Sequence, residues 1–267
     1  MYNLIKSDFY KLRHSRAFKN SLIIIIFIIA WNMKLYFTKS NKIYIFHDFL
    51  GNKEVGFTIN NFINRNNPKV MEFFNTAIGF IPVVQIVIIS LVVVFVINEY
   101  YNGTIKNIVS YGHKRIYIYM SKLIVSSLSI FIILFILTFG QVAIGIIFTK
   151  CSVNSYEIIK MIKMLITIWL VFTAMSSIYI LFSVIIRNKS VVISLGILSM
   201  FLCLIYIKFI CNLLNNYYKY IPTYMLLDIL NIYSNSSAIK LLASNSIVII
   251  LITSIIGIAV FERQDIK

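Results

Sequence analysis

Glu99, Gly103, Thr104, Ile105, Lys106, Gly112 and Arg115 fall within one short polar stretch, 98–122, set between two long apolar runs. The first run ends near Ile97 and the second begins near Leu123. A basic stretch in that position lies at a membrane face; folded as a short helix it is a lever that another protein can grip, and a generic basic loop explains its cations equally well. Covalent chemistry finds no foothold elsewhere. The chain has no HExxH motif and no phosphate-cradling glycine loop. No Ser–Lys, His or paired-Asp set for an intramembrane hydrolase can be assembled from the apolar runs. Several of those runs lack any ionisable residue in their interiors, whereas ion-driven transporters need such groups near the midplane.

The uncharged polar residues of the runs include Gln85, Gln141, Thr173, Ser176, Ser177 and Ser183. Gln85, Gln141 and Ser176 are the candidates for a substrate path. Interhelical hydrogen bonds account equally well for the two glutamines, which are costly to turn toward lipid. Thr173 and Ser177 suit close helix packing better than substrate contact. Cys151, Cys203 and Cys211 lack metal-ligand spacing and read as apolar residues. The chain is expected to hold no catalytic site, no metal and no cofactor of its own, so any work it does must be driven by a partner.

The elements that position these residues follow from composition. The chain is 60% hydrophobic with 13% charged residues, and its mean hydropathy is +0.87. A water-soluble domain of 267 residues would not show such values. A bilayer-crossing helix needs about 20 mostly apolar residues. Six segments qualify: Ser21 to Phe37, Ala77 to Ile97, Leu123 to Phe148, Met164 to Ile186, Val191 to Ile210 and Ser246 to Phe261. The first and last are the shortest in strictly apolar residues. Barrel strands would alternate apolar and polar positions, and these segments are continuous. The expected fold is an all-α membrane protein with six transmembrane helices in a single domain, 1–267.

The formal net charge of +16 does not indicate nucleic acid, because the basic residues are scattered between apolar spans. Their distribution gives orientation instead. Lys6, Lys11, Arg13, Arg16 and Lys19 precede the first span, and Lys106, Lys114, Arg115 and Lys122 separate the second from the third. Arg187 and Lys189 fill the fourth connection, and Arg263 and Lys267 end the chain. These short stretches hold about half of the 25 Lys and Arg residues, which puts both termini in the cytoplasm. Lys39, Lys42, Lys53, Arg65 and Lys69 run against the bias, in a loop expected outside. Trp31–Asn32–Met33–Lys34 supplies no small-residue cleavage site, so the first run reads as a span and not as a signal peptide. Heavy use of Ile, Asn, Lys and Tyr suggests an AT-rich bacterial genome, hence a bacterial cell membrane.

Three connections carry further expectations. Residues 1–20 form an amphipathic lead helix, with Ile5, Phe9 and Leu12 at helical spacing between basic residues. A solvated basic lead that only sets orientation explains the same pattern. The external loop 38–76 is long and polar, either a small cap or a partly ordered excursion. The external region 211–245 carries Tyr217, Tyr218, Tyr220, Pro222 and Tyr224, then Met225–Leu226–Leu227. It reads either as short helices dipping into the outer leaflet or as an interfacial loop with an aromatic belt. Pro82 either starts or kinks the second span.

The 98–122 insert itself reads as a short helix. Asn102 or Thr104 can cap its start, Ile105, Ile108 and Val109 give it an apolar face, and Gly112 can end it. The order Glu99, then Asn102–Gly103–Thr104–Ile105–Lys106–Asn107, then Ser110, Gly112, Arg115 and Ser121–Lys122–Leu123, resembles the loop after the second helix of ABC-2 type permeases. Asp8–Phe9–Tyr10–Lys11–Leu12 resembles their lead helix, and the six-span plan matches along essentially the whole chain. The extended first external loop is less usual for compact members.

The resemblance implies the permease subunit of an ATP-driven exporter. Glu99 would orient the end of the second helix, and Gly103–Thr104–Ile105–Lys106 would contact a separate cytoplasmic ATPase dimer, with Gly112 and Arg115 in the same coupling surface. ATP and Mg would be bound by that partner. A second permease, a copy or a relative, would complete the path. Small bacterial permeases of this kind often serve peptide-antibiotic immunity or peptide export, which makes an amphipathic peptide or lipid-like molecule the first substrate guess. Contact of Lys106 and Arg115 with acidic membrane lipids is the plainer alternative. The competing function is a non-transporting membrane sensor or accessory subunit that binds a cytoplasmic partner.

Overall fold

Leu4, Asp8 and Leu12 recur one helical turn apart, and they form the buried side of the first element, α1 (Tyr2–His14). The computed structural model describes residues 1–50, 53–151, 153–206, 209, 220–231 and 236–264. Ser15 breaks the chain sharply after α1. Its backbone is extended, and its hydroxyl accepts from the Phe18 amide at 3.1 Å to cap α2 (Arg16–Phe37). The helices that follow are α3 (Val70–Ile78), α4 (Ile81–Tyr101), α5 (Thr104–Ser110), α6 (Arg115–Thr149), α7 (Ser155–Ile186) and α8 (Lys189–Ile205). Two more, α9 (Pro222–Asn231) and α10 (Ser236–Arg263), close the described chain.

Among the described residues, five helices are long and apolar enough to cross a bilayer: α2, α4, α6, α7 and residues 239–263 of α10. The expected fifth span, Val191 to Ile210, is the shorter helix α8, whose 17 residues end at Ile205. The fold is therefore mostly helical, with five long candidate spans. α7 is central, packing against α4, α6, α8, α9 and α10. Its seam with α10 is lined by small residues: Ala174 and Ser177 are buried, and the Thr253 hydroxyl donates to Ser177 Oγ at 2.7 Å. Ser177 thus packs at this seam, whereas the Thr173 hydroxyl donates within its own helix, to Leu170 O at 2.7 Å.

The all-α expectation needs one correction. Residues of the 38–76 loop form an antiparallel hairpin, β1 (Ile43–Leu50) with β2 (Lys53–Ile59), in which Ile43 pairs with Ile59 and Tyr44 with Thr58. The register shifts between Ile45 and Asp48. The segment beyond the hairpin is tied down by polar contacts: Tyr36 Oη donates to Arg65 O at 2.8 Å, and Asn60 Nδ2 to Ser40 O at 2.7 Å. Buried Glu72 accepts from the amides of Ile63 and Lys69, which fixes the start of α3. These contacts fold the described part of the loop against α2 and α3.

The second expected span also changes shape. The apolar run from Ala77 contains a break at Gly79–Phe80, and Pro82 opens α4 instead of kinking it. The break follows from a close approach, since a Cβ on Gly79 would meet the Thr58 carbonyl of β2. At the other end α4 runs on to Tyr101, and α6 begins at Arg115. Glu99 and Lys122, which the sequence places in a connection, are therefore helical residues. The polar connection proper is residues 102–114.

Candidate functional site

Asp8, Lys11, Glu99, Ser121 and Lys122 come together where α1, the end of α4 and the start of α6 meet. Lys122 Nζ lies 2.8 Å from Asp8 Oδ1 and 2.6 Å from Glu99 Oε2. Lys11 donates to Glu99 Oε1 at 3.1 Å and stands 3.7 Å from Asp8 Oδ1. Ser121 Oγ donates to the second oxygen of Asp8 at 2.5 Å. The Asp8, Lys122 and Glu99 side chains are only 2%, 4% and 7% exposed, and the Lys122 ammonium also sits over the Phe95 ring at 4.9 Å. Two carboxylates and two ammonium groups balance in charge. Buried charges persist only when paired and further hydrogen-bonded, so this cluster fixes three elements relative to one another. Asp8 also corrects the simple amphipathic picture of the lead: the acidic residue sits at the centre of the buried face, and α1 packs on α6 and α2.

α5 is tied to the end of α4, the helix that contributes Glu99 to this cluster. Gly103 adopts a left-handed backbone (φ +65°) and turns the chain from α4 into α5. Thr104 Oγ1 donates back to Glu99 O at 3.2 Å, and Gly112 (φ +81°) turns the chain away at the far end. Ile105 is 3% exposed and belongs to the bundle core, whereas Lys106, Asn107, Ser110 and Tyr111 face outward, Tyr111 at 82%. The residue expected to contact a partner, Ile105, is therefore an anchor turned inward.

Arg115 does a different job from the one its place in the insert suggested. Its Nη1 donates to the carbonyls of Phe261, Glu262 and Gln264 at 2.6–2.9 Å. Those carbonyls belong to the end of α10, where helix acceptors have no intrahelical partner. Gln264 in turn accepts from Arg187 Nη2 at 2.7 Å and donates to Val184 O at 2.9 Å. Arg187 stacks on Tyr100, 5.3 Å from the ring centroid. The ends of α4, α6, α7 and α10 are thus knitted together beside the ionic cluster.

The three path candidates are buried within the bundle. Gln85 Nε2 reaches Thr223 Oγ1 of α9 at 3.5 Å, Gln141 Nε2 reaches Met33 Sδ at 3.4 Å, and the Ser176 hydroxyl donates to Thr173 O at 2.8 Å. Each is tied to a neighbour, so a path role would require the bundle to open. Sequence reasoning passed over Asn32, which is buried in α2 with neither amide atom partnered among the described residues. Its signal was present: an amide midway along an apolar span is costly unless satisfied. It also passed over Asp8 and Lys122 as partners, because nothing local links residues so far apart in the chain.

A bundle of long apolar helices, with buried ion pairs gathered at one end, defines a multi-pass membrane protein. The chain belongs to the ABC-2 family transporter proteins, whose family model matches residues 2–266. No curated protein matches the chain significantly. Permeases of this family are membrane subunits that lack an ATPase domain and pair with ABC ATPases, which supply the ATP chemistry. This chain is accordingly the membrane component of such a transporter and not an enzyme.

Proposed function

We propose that the chain is an exporter permease in which α5 is the lever worked by a cytoplasmic ATPase dimer. The observation that carries this reading is the buried Asp8–Lys122–Glu99–Lys11 cluster at the end of α4, the helix to which α5 is tied. A push on α5 passes through Ile105 and the Thr104–Glu99 contact into the cluster. α1, α4 and α6 then move as one body, which suits a rigid-body switch between two packings. The contact surface is the outward side of α5 and its exit, namely Lys106, Asn107, Ser110 and Tyr111, while Gly103, Gly112 and Ile105 set its pose. Both termini and α5 lie on the cytosolic side, by the excess of Lys and Arg in the short connections there. α8 is the sixth span, and α9 dips from the outer face to cover Gln85.

A second permease copy or relative completes the path, with Gln85, Gln141 and Ser176 becoming accessible when the bundle opens. The cargo is an amphipathic peptide or lipid-like molecule, by analogy with small bacterial permeases that often serve peptide immunity or export. Co-purification with the co-expressed ATPase tests the lever. Tyr111→Asp together with Lys106→Glu should abolish co-elution while leaving the permease folded. An undiminished complex, or labelling of residues 102–112 only from outside the cell, would overturn the reading.

A further inference from the structure

A cavity of about 390 Å³ lies between α7 and α8, beneath the start of α9. Met175, Tyr179 and Phe182 line it from α7, and Leu195, Ser199 and Cys203 from α8. The surroundings are almost wholly apolar, since the Ser199 hydroxyl is already spent on Gly196 O at 2.8 Å. Ile221, Pro222 and Thr223 close one end, pinned there by the Tyr224 hydroxyl donating to Cys203 O at 2.7 Å. The flank is open, with Phe182 and Leu195 exposed on the outer surface of the helix pair. A volume in this range accommodates a small ligand.

Depth and charge identify the occupant. Gly196 and Cys203 follow Lys189 at seven-residue intervals, so all three lie along one stripe of α8 with Lys189 at its foot. At about 1.5 Å per residue, the lined part of α8 reaches from about 9 Å to about 21 Å above Lys189. That interval overlaps the depth of one leaflet's chains, about 15 Å. Lys189 pairs with no carboxylate among the described residues; its ammonium rests over the Tyr101 ring at 4.8 Å. Arg187, two residues earlier in the connection between α7 and α8, adds positive charge nearby.

We infer that this groove holds one acyl chain of an anionic phospholipid from the leaflet at the α5 end of the bundle, with its headgroup on Lys189. The lipid would act as a third wall of the α7–α8 pair, sealing α9 against the bundle. This site stands apart from the lever and does not depend on which cargo is moved.

Lipid binding to the full chain in detergent, after removal of native lipid, tests the inference. The probes are palmitoyl-oleoyl phosphatidylglycerol and the phosphatidylcholine with the same chains, counted by native mass spectrometry. Wild type should prefer phosphatidylglycerol by about fivefold, the worth of one cation at the surface, and Lys189→Gln should erase that preference. Ser199→Trp should fill the groove and weaken both lipids by about tenfold or more, while Ser199→Ala should bind as wild type. Equal binding of the two lipids by wild type, or a preference that survives Lys189→Gln, would overturn the inference even if Ser199→Trp failed to fold. Ser199→Trp that turns a dimer into a monomer with lipid binding intact would assign the groove to a second copy and also overturn it.

Discussion

Lys122 and Glu99 face one another across the turn that carries α5, with Nζ 2.6 Å from Oε2. Neither residue belongs to the polar connection: Glu99 ends α4, and Lys122 lies about two turns into α6. The pair clamps together the two helix ends between which α5 hangs, and Asp8 ties α1 to the same ammonium at 2.8 Å. One buried set of charges therefore holds three helices together, and α5 is tied to one of them, α4.

Lys122→Met should be strongly destabilising. It leaves Asp8 and Glu99 buried with Lys11 alone, and breaking a buried pair in this way costs about 3–5 kcal/mol. Thermal unfolding in detergent reads the loss. Adding Glu99→Gln should recover part of it, because the two residues interact. Strictly additive effects in the double variant would show that the contact carries no coupling.

Gly103 tests the turn into α5. A Cβ there would meet nothing within 4 Å, so only the left-handed backbone resists substitution. Gly103→Asn should be tolerated, since Asn visits this region readily. Gly103→Val should cost about 1–2 kcal/mol or more and loosen α5. Hydrogen exchange over residues 104–110 distinguishes the two variants, with faster exchange expected only for valine.

Arg115→Ala should fray the end of α10 by removing the donor shared by Phe261, Glu262 and Gln264. Each carbonyl left buried and unpaired costs about 1–3 kcal/mol, less where water reaches it. The measurable result is faster exchange of the amides near residues 258–264.

Gly257→Ala probes the seam between α6 and α10. A Cβ at Gly257 would run into the Tyr119 phenol, with Cε2 at 2.7 Å. The ring is buried and cannot swing into solvent, so overpacking should cost about 1–3 kcal/mol in thermal stability. Tyr119→Ala in the same chain should relieve the clash, and the double variant should be more stable than the sum of the two changes. A harmless Gly257→Ala on its own would place the ring elsewhere.

Much of the fold could be read from the residues in order. The apolar runs announce helices because a backbone in hydrocarbon must satisfy its own hydrogen bonds, so composition alone forces the element type. The two-residue connection at Arg187 and Asn188, the start of α4 near Pro82 and the short helix after Gly103 all follow from local chemistry. The hairpin at 43–59 and the break at Gly79 do not. Each arises from contact with a segment distant in the chain, Ile59 across from Ile43 and the Thr58 carbonyl against Gly79.

The site divides in the same way. Sequence by itself determined that this is a bundle of membrane-spanning helices, and it singled out the order of residues from Glu99 to Arg115 as the stretch that resembles a permease coupling loop. Apolarity and backbone turns are properties of each segment alone, so they survive without a structure. Only the tertiary structure decided that Asp8 and Lys122 share Glu99, that Ile105 points inward, and that Arg115 caps α10. Whether a charge is paired, and with which partner, depends on where two helices meet in space, and no single stretch of chain records that.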